Sequence, residues 1–139
     1  MRYAKIGILD SGVGGLTVAR AIGDAMPSAH LIYFGDTARM PYGDRPPDQI
    51  VRFVREIIAF LLDRGVDAIA VACNTSSALA LPAMQGDFDV PIRGMIECGA
   101  VSAVEASRTG RIGVIATANT VRSGAYGKAI TSLRPGAHV

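Results

Sequence analysis

A cysteine ends an apolar run at position 73, in the stretch ACNTSSA that covers residues 72–78. The four residues that follow it, all small and polar, are Asn74, Thr75, Ser76 and Ser77. If a helix begins here, its free N–H groups and the positive end of its dipole stabilise a thiolate, which can act as a nucleophile or as a base. Buried cysteine is also a common inert core residue. The surplus of hydrogen-bonding groups beyond what a helix cap needs favours a chemical role for Cys73.

The two histidines are poorly placed to activate this cysteine. A cysteine nucleophile normally has a histidine as its general base, but His30 lies at the start of a predicted strand and His138 is next to last in the chain. Covalent Cys/His catalysis and zinc binding are therefore disfavoured, no metal site is predicted, and base chemistry by a thiolate is favoured. The second cysteine, Cys98, lacks CxxC spacing to the first, and we interpret it as a packing residue or a chance substitution in its turn.

A glycine-containing turn, DSGVGG at residues 10–15, carries other polar side chains. It leads from an apolar run into a predicted helix, whose N-terminal N–H groups suit a carboxylate. Asp10 and Ser11 could bind a ligand here or simply cap the helix. The spacing of the glycines departs from the GxGxxG of dinucleotide-binding turns, so a flavodoxin-like nucleotide binder is a weak alternative.

A longer turn, GDTARMPYG at residues 35–43, could also take part in binding. Long irregular loops in compact domains are often functional. Arg39 could hold a carboxylate of a ligand, although a surface position is the simpler interpretation. Asp36 is expected to tie the loop down and not to touch a ligand.

Alternating apolar runs and helical patterns predict an α/β fold, with a parallel sheet flanked by helices. Strands are predicted at 5–9, 30–34, 67–72, 90–96 and 111–116. Helices are predicted at 15–26, 47–64, 75–84, 99–107 and 119–133. Ligands of open α/β sheets bind at the carboxyl ends of the strands, so we expect the turns there to converge on one site. Those turns are 10–15, 35–43, 73–77, 97–99 and 117–120.

The composition is that of a well-buried globular chain of 139 residues, half of them hydrophobic and only 19% charged. The 14 basic and 12 acidic residues are interspersed, which argues against a nucleic-acid partner because no Lys/Arg block follows a phosphate backbone. No apolar run reaches the roughly 18 to 20 residues of a membrane span, and Asp10 comes too early for a signal peptide. We therefore expect a cytoplasmic protein that does not associate with a membrane.

Taken together, ILDSGVGGLTV, FGDTARMPYG and ACNTSSA resemble motifs of the glutamate racemases, in order and spacing. The likeness continues through GMIECGA and IGVIATANTVRSGAY. Within the wider aspartate/glutamate racemase superfamily, DSGVGGLTV with MPYG resembles the glutamate branch more than the aspartate or hydantoin branches. A related amino-acid racemase acting on aspartate is the alternative within this superfamily.

The resemblance implies a cofactor-independent racemisation by two cysteines, which supplies D-glutamate for bacterial peptidoglycan. Cys73 matches the first of the two cysteines, the one that faces D-glutamate, and Asp10 is implied to assist the proton transfers. No metal or other cofactor is implied. The glutamate-binding residues implied by the matching motifs are Asp10, Ser11, Pro41, Tyr42, Gly43, Asn74, Thr75, Thr117 and Thr120.

The chain also departs from the family pattern. Family members are about twice as long, and their second catalytic cysteine lies in a GCTHYP-like motif that this sequence lacks. Cys98 stands where the family usually has proline, in an IEPGA turn. The family fold has two similar α/β lobes with the site between them, and a C-terminal segment completes the first lobe. The resemblance therefore implies that residues 1–98 form the first lobe without that completion and that residues 99–139 begin the second.

These departures leave a second interpretation of the chain open. It could be a truncated, non-catalytic fragment that only binds glutamate or associates with another copy. Incomplete lobes expose apolar surface, and exposed apolar surface favours association. We therefore expect a homo-oligomer, most simply a dimer.

Overall fold

Four parallel strands form one sheet, in the order β2-β1-β3-β4, in the computed structural model, which describes residues 4–139. The strands are β1 (Lys5–Asp10), β2 (His30–Gly35), β3 (Ala68–Val71) and β4 (Ile92–Gly94). The helices are α1 (Leu16–Ala25), α2 (Pro47–Asp63), α3 (Asn74–Leu79), α4 (Met95–Ala106), α5 (Ala118–Ser123) and α6 (Ala125–Leu133), with a 3₁₀ helix at Leu81–Met84. The predicted α/β fold with a parallel sheet is confirmed. No helix in the described range is long and apolar enough to cross a bilayer.

The strand register brings the carboxyl ends of the strands to one edge. Strand β1 lies inside the sheet, with Ile8 opposite Tyr33 of β2 and Ala70 of β3. Asp10, the last residue of β1, is paired with Gly35, the last residue of β2. Ile8 is fully buried, as expected for an inner strand of a parallel sheet. The polar turns that follow these strands therefore start from the same edge.

Helix α2 carries much of the hydrophobic core. Apolar residues recur along it at the i, i+4 and i+7 spacing of one helix face, and all four of these residues are buried: Ile50, Val54, Ile57 and Leu61. Pro47 occupies the start of the helix, where its missing N–H is not needed. Gly65 adopts a left-handed φ of 69° just beyond the end. Burying a large aliphatic side chain contributes about 1.5–3 kcal/mol, so this stripe holds α2 against the sheet.

Helix α1 has an apolar side but buries none of its residues. Leu16 and Met26, at its two ends, are 51% and 43% exposed. An open groove of about 410 Å³ runs along this side and is lined by Val18, Ile22 and Met95, among others. The core therefore contributes little to the stability of α1, in contrast to α2.

The predicted strand at 111–116 is wrong. Within residues 4–139 this segment forms a single parallel bridge, between Arg111 and His138, and the Ile112 N–H donates to the His138 carbonyl at 2.9 Å. A strand needs a neighbour along its length to pair its backbone groups, and Ile115 is instead fully exposed. The apolar run of residues 111–116 does not reveal whether such a neighbour is present.

The predicted boundary between the fourth strand and the next helix is also wrong. Strand β4 ends at Gly94 and α4 begins at Met95 instead of Gly99, so residues 97–99 lie inside a helix and form no turn. The Ser77 hydroxyl accepts the Met95 N–H at 3.0 Å. This contact satisfies one of the free N–H groups at a helix start and explains why α4 begins early.

Two other helices are shorter than predicted. Helix α3 ends at Leu79, and the chain continues as the 3₁₀ helix that contains Pro82, a residue with no N–H to donate. The helix predicted at 119–133 is two helices, α5 and α6. The break falls at Gly124, whose backbone is left-handed with φ 64°.

Replacing Gly124 with alanine is expected to lower the free energy of unfolding by about 1–2 kcal/mol, because an L-residue in the left-handed region costs about that much. Gly127→Ala, within α6, is the matched control and is expected to raise it by about 0.5–1 kcal/mol, because alanine is the better helix former. No atom lies within 4 Å of a Cβ at either position, so the backbone decides both results. Urea unfolding measures them, and equal effects would contradict the break at Gly124.

Candidate functional site

The turn after β1 packs directly on the end of β3, next to Cys73. A Cβ atom at Gly15 would lie 2.7 Å from the Ala72 Cβ and 2.8 Å from the Asp10 Cβ. Carbon atoms do not approach so closely, so only glycine fits here without a shift of the backbone. The 10–15 turn therefore packs against Ala72, the residue that precedes Cys73, which agrees with the predicted convergence of the turns at this edge.

The carboxylate of Asp10 is buried and is held through one of its oxygens. Oδ2 accepts the Gly12 N–H at 3.2 Å, the Gly15 N–H at 3.0 Å and the Tyr33 hydroxyl at 3.3 Å. Oδ1 has no hydrogen-bond partner among residues 4–139. No side chain caps α1, so helix capping is not the role of Asp10 or Ser11. Asp10 instead shapes its own turn and keeps one acceptor oxygen free.

Cys73 is 7% exposed and stands at the N-cap position of α3. Its sulfur accepts the Ser76 N–H at 3.4 Å, and a charged acceptor such as a thiolate receives a hydrogen bond more strongly than a neutral one. The Ser77 hydroxyl donates to the Cys73 carbonyl at 2.9 Å and holds the backbone there. The apolar run thus ends on a thiol whose sulfur faces a backbone donor, as the sequence predicted.

Two tyrosines that keep their protons at neutral pH lie within electrostatic reach of Cys73. Burial, the charge of Asp10 and the hydrogen bond to it raise the pKa of Tyr33 to about 12, and Cys73 adds to the rise. Burial raises the pKa of Tyr42 far above its usual value, with further contributions from Asp36 and from Cys73. Both tyrosines are therefore hydrogen-bond donors at neutral pH.

The long turn after β2 is tied to the protein by Asp36, as predicted. Its Oδ2 accepts from the Arg39 Nε at 2.7 Å and from the Tyr42 hydroxyl. Arg39 also contacts Glu56 at 2.5 Å, and its guanidinium lies 4.3 Å from the centre of the Phe53 ring. Arg39 is therefore paired with carboxylates of the protein, and the Tyr42 hydroxyl is held inside the loop.

Three threonine hydroxyls from two parts of the chain meet in what we call the threonine cluster. Thr75 Oγ1 lies 2.8 Å from Thr117 Oγ1 and 3.3 Å from Thr120 Oγ1. The hydroxyls of Thr117 and Thr120 are 3.0 Å apart. Thr75 and Thr120 are buried, whereas Thr117 is exposed. The cluster brings three of the predicted binding residues together at the start of α3, close to Cys73.

Asn119 and Tyr33 are two residues that the sequence interpretation overlooks. The Asn119 Nδ2 donates to the Arg45 carbonyl at 2.8 Å and to the Tyr42 carbonyl at 3.4 Å. Its backbone N–H donates to the Gly43 carbonyl at 3.3 Å. Asn119 therefore clamps the long loop to α5. No sequence pattern indicates which distant backbone groups a buried amide meets, or that a strand tyrosine reaches the turn after β1.

The remaining predicted binding residues keep polar groups open. Asn74 is exposed, and its Oδ1 accepts the Tyr126 hydroxyl at 2.6 Å. The amide N–H groups of Asn74 have no partner in the part of the chain that the structure describes, and the same holds for the Ser11 hydroxyl. Pro41 is exposed next to the buried Tyr42. The open groups thus include amide donors, a hydroxyl and the free oxygen of Asp10.

The interpretation of Cys98 as a packing residue is wrong, because its side chain is exposed. It stands in the first turn of α4, with its sulfur 4.0 Å from the Gly94 carbonyl oxygen. It lines a groove of about 740 Å³ beside β4 to which neither Asp10 nor Cys73 contributes. Between residues 4 and 139, no three His, Cys, Asp or Glu side chains are grouped so that they could hold a metal ion.

Comparison with known proteins relates the chain to one family. Residues 16–139 match the family model described as Asp/Glu/Hydantoin racemase. The chain is 51% identical to the glutamate racemase of Aquifex aeolicus over 135 residues, which are 97% of this chain and 52% of that protein. It thus spans about half the length of the curated relatives it matches.

Solved structures show the same fold. A glutamate racemase isoform from Bacillus anthracis superposes with a TM-score of 0.95 at 41% identity, covering 100% of this chain and 52% of that one. The glutamate racemase of Francisella tularensis, solved in complex with D-glutamate, superposes with a TM-score of 0.88 at 37% identity, covering 98% and 51%. The architecture of the described chain is therefore that of about half of these proteins.

Replacing Gly15 with alanine is expected to lower the free energy of unfolding by about 1–3 kcal/mol, because the new methyl group overpacks the contact with Ala72 and Asp10. Gly14→Ala is the matched control, since its Cβ would meet only the Asp10 Oδ2, at 4.0 Å. We expect it to change stability by no more than about 0.5 kcal/mol. Urea unfolding of both variants measures the difference, and a harmless Gly15→Ala would contradict the close approach.

Stability is expected to fall as the pH rises from about 10 to about 12, in part because of Tyr33. The unfolded chain releases the Tyr33 proton near the ordinary pKa of 10.0, whereas the folded chain keeps it up to a pKa of about 12. Across that range the folded state holds more protons, so the free energy of unfolding decreases with pH. Tyr33→Phe lacks this proton and should show a shallower decrease in urea unfolding. An equally steep decrease in both proteins would contradict the raised pKa.

Proposed function

The chain belongs to the Asp/Glu/hydantoin racemase family, and we propose that it forms one half of a glutamate racemase site, in which the Cys73 thiolate removes the α-proton of D-glutamate. The observation that carries this proposal is the placement of Cys73, with an N–H donor on its sulfur and the free oxygen of Asp10 on the adjoining turn. The identity to glutamate racemases supports glutamate as the substrate, in preference to aspartate.

Removing an α-proton needs strong assistance, because that proton is only weakly acidic and the transition state has carbanion character. Donors that are fixed in advance stabilise the developing charge without reorganisation. The open amide of Asn74 and the N–H groups at the start of α3 are placed for this role. A cysteine thiol suits the base because its ordinary pKa, about 8.5, lies close to neutral pH.

Asp10 assists the transfer in this proposal through Oδ1. Three donors already occupy Oδ2, so Oδ1 is the oxygen that can accept a hydrogen bond from the substrate ammonium group or from the Cys73 thiol. Either contact orients the reacting α-carbon relative to the sulfur. Correct orientation lowers the barrier of the chemical step.

The two carboxylates of glutamate would meet the polar groups that the structure leaves open. Ser11, Asn74 and Thr117 offer hydroxyl and amide donors. The long loop would contact a substrate carboxylate through its backbone at residues 41–43. The Tyr42 hydroxyl is not used for this, because it already donates to Asp36 inside the loop. The other members of the threonine cluster orient the Thr117 hydroxyl. Contacts to both carboxylates and to the ammonium group would fix which face of the substrate Cys73 meets.

We further propose that residues 1–98 form the first lobe of the racemase fold and that residues 99–139 begin the second. Helix α4 connects the two parts, and the threonine cluster and Asn119 attach the second part to the first. Full racemisation requires a protonated thiol on the opposite face of the substrate. Cys98, the other cysteine of the sequence, lines a different groove. The chain is therefore proposed to act with a single base.

In this proposal the complete enzyme works in the cytoplasm without a cofactor and supplies D-glutamate for peptidoglycan. A second candidate function is that the 139-residue chain binds glutamate or forms a dimer without catalysis. The coverage of half of each relative favours this candidate, as does the open apolar side of α1. The two candidates differ in whether the α-hydrogen of bound glutamate exchanges with solvent.

Incubating the chain with D-glutamate in D₂O is expected to replace the α-hydrogen by deuterium without inversion, because a single base returns a deuteron to the face from which it took the proton. Cys73→Ala is expected to slow this exchange by at least about a hundredfold, the usual minimum for a lost general base. The matched variant Cys98→Ala should keep the wild-type rate. Proton NMR of the α-hydrogen measures exchange, and chiral chromatography measures inversion.

The other outcomes of the exchange, inversion and binding measurements would each change the proposal. Exchange that survives in Cys73→Ala would remove Cys73 from the mechanism. Inversion by the wild-type chain would show a second base within the 139 residues. Glutamate binding in isothermal titration calorimetry without any exchange would support the non-catalytic candidate.

A further inference from the structure

Tyr33 is a half-buried phenol that the proposed mechanism does not yet use. It lies in β2, opposite Ile8 of β1. Its hydroxyl lies 2.9 Å from the Gly12 carbonyl oxygen and 3.3 Å from the Asp10 Oδ2, and it donates to both. The one hydrogen of this hydroxyl is therefore shared between two acceptors on the same turn.

Tyr33 differs from the other donors to Asp10 in where it comes from. The Gly12 and Gly15 N–H groups belong to the turn that Asp10 itself begins. These two bonds give the turn its shape, but they do not attach it to another strand. Among the described residues, Tyr33 is the donor to Asp10 that comes from a different strand. It is therefore the side-chain contact that ties the Asp10 carboxylate, and through the Gly12 carbonyl the turn itself, to β2.

We propose that Tyr33 is a positioning residue, whose hydroxyl holds Asp10 Oδ2 so that the free Oδ1 keeps one orientation towards the proposed substrate. This inference rests on the function proposed above. Because Gly15 packs against Ala72, the turn that Tyr33 anchors is the one that adjoins Cys73. Without the anchor, only the Gly12 and Gly15 N–H groups of the turn hold Oδ2, so the orientation of the free oxygen towards the substrate is less well defined.

Tyr33 can hold this position across the range of pH in which a thiolate base works. Burial and the charge of Asp10 keep its hydroxyl protonated at neutral and moderately alkaline pH. A protonated phenol donates to the carboxylate, whereas a phenolate would repel it. The contact therefore persists at neutral and moderately alkaline pH.

The first test measures the anchor itself and does not depend on catalysis. In Tyr33→Phe, amide hydrogen exchange of Gly12 and Gly15, followed by NMR of the ¹⁵N-labelled chain, is expected to be about three- to tenfold faster, as for the loss of one hydrogen bond. Thr17→Val is the matched control, because the Thr17 hydroxyl donates to the Gly14 carbonyl at 2.9 Å without touching Asp10. It should leave the Gly15 amide unchanged.

The second test measures the consequence for the reaction. In the D₂O assay with D-glutamate, Tyr33→Phe is expected to lower kcat about three- to tenfold with KM within about twofold of wild type. Thr17→Val should keep both constants. In an Asp10→Ala background, Tyr33→Phe should lower kcat no further, because the residue it positions is gone.

The two tests separate this inference from the proposed function. Unchanged amide exchange in Tyr33→Phe overturns the anchor, and an unchanged kcat overturns the positioning role. A rise in KM with no loss of kcat also overturns it, because it would indicate a binding role.

If the wild-type chain exchanges no α-hydrogen, the proposed function fails, and the amide measurement alone decides whether Tyr33 anchors Asp10. If Tyr33→Phe does not fold, the amide measurement is repeated on Tyr33→His, where faster exchange supports the anchor and unchanged exchange overturns it.

Discussion

The structure of the site depends on the absence of a side chain at Gly15. Parallel strands bring their carboxyl ends to one edge, but neighbouring turns at such an edge are normally kept apart by the side chains between them. At Gly15 the backbone of the first turn lies directly against Ala72 and the Asp10 Cβ. The charged group of β1 and the thiol that follows β3 therefore share one small region. Burial is the largest cause of the raised pKa of Tyr33, and the charges of Asp10 and Cys73, both within reach of its hydroxyl, add to it.

The two parts of the chain are held by different kinds of interaction. Helix α2 is attached to the sheet by a stripe of buried apolar side chains, a contact that depends on area and tolerates small shifts. Helix α5 is attached to α3 and to the long loop by the threonine cluster and by Asn119. Hydrogen bonds are directional, so these contacts set the distance and angle between the parts. The directional contacts are thus concentrated around the start of α3 and the long loop.

The sequence predicts what depends on local pattern and misses what depends on distant partners. The stripe of α2 follows from its period, and four of the strands follow from their apolar runs. Residues 111–116 have the same kind of run, but a strand exists only where a neighbour pairs with it, and the run carries no information about neighbours. The cysteine at a helix start and the loop tie of Asp36 are local features that motif reading finds. The contacts of Tyr33 and Asn119 join residues far apart in the chain, and residue type alone does not predict them.

Helix α1 has a consequence for the turn that precedes it. A ten-residue helix is marginal in water when it stands alone, and α1 buries none of its side chains. The turn that carries Asp10 leads directly into this helix, so fraying at the start of α1 begins at the end of that turn. Any molecule that shields the apolar side of α1 shifts the equilibrium of fraying towards the ordered helix. The first turn of the helix would then be held from two sides, by Gly15 packed on Ala72 before it and by the covered apolar side along it.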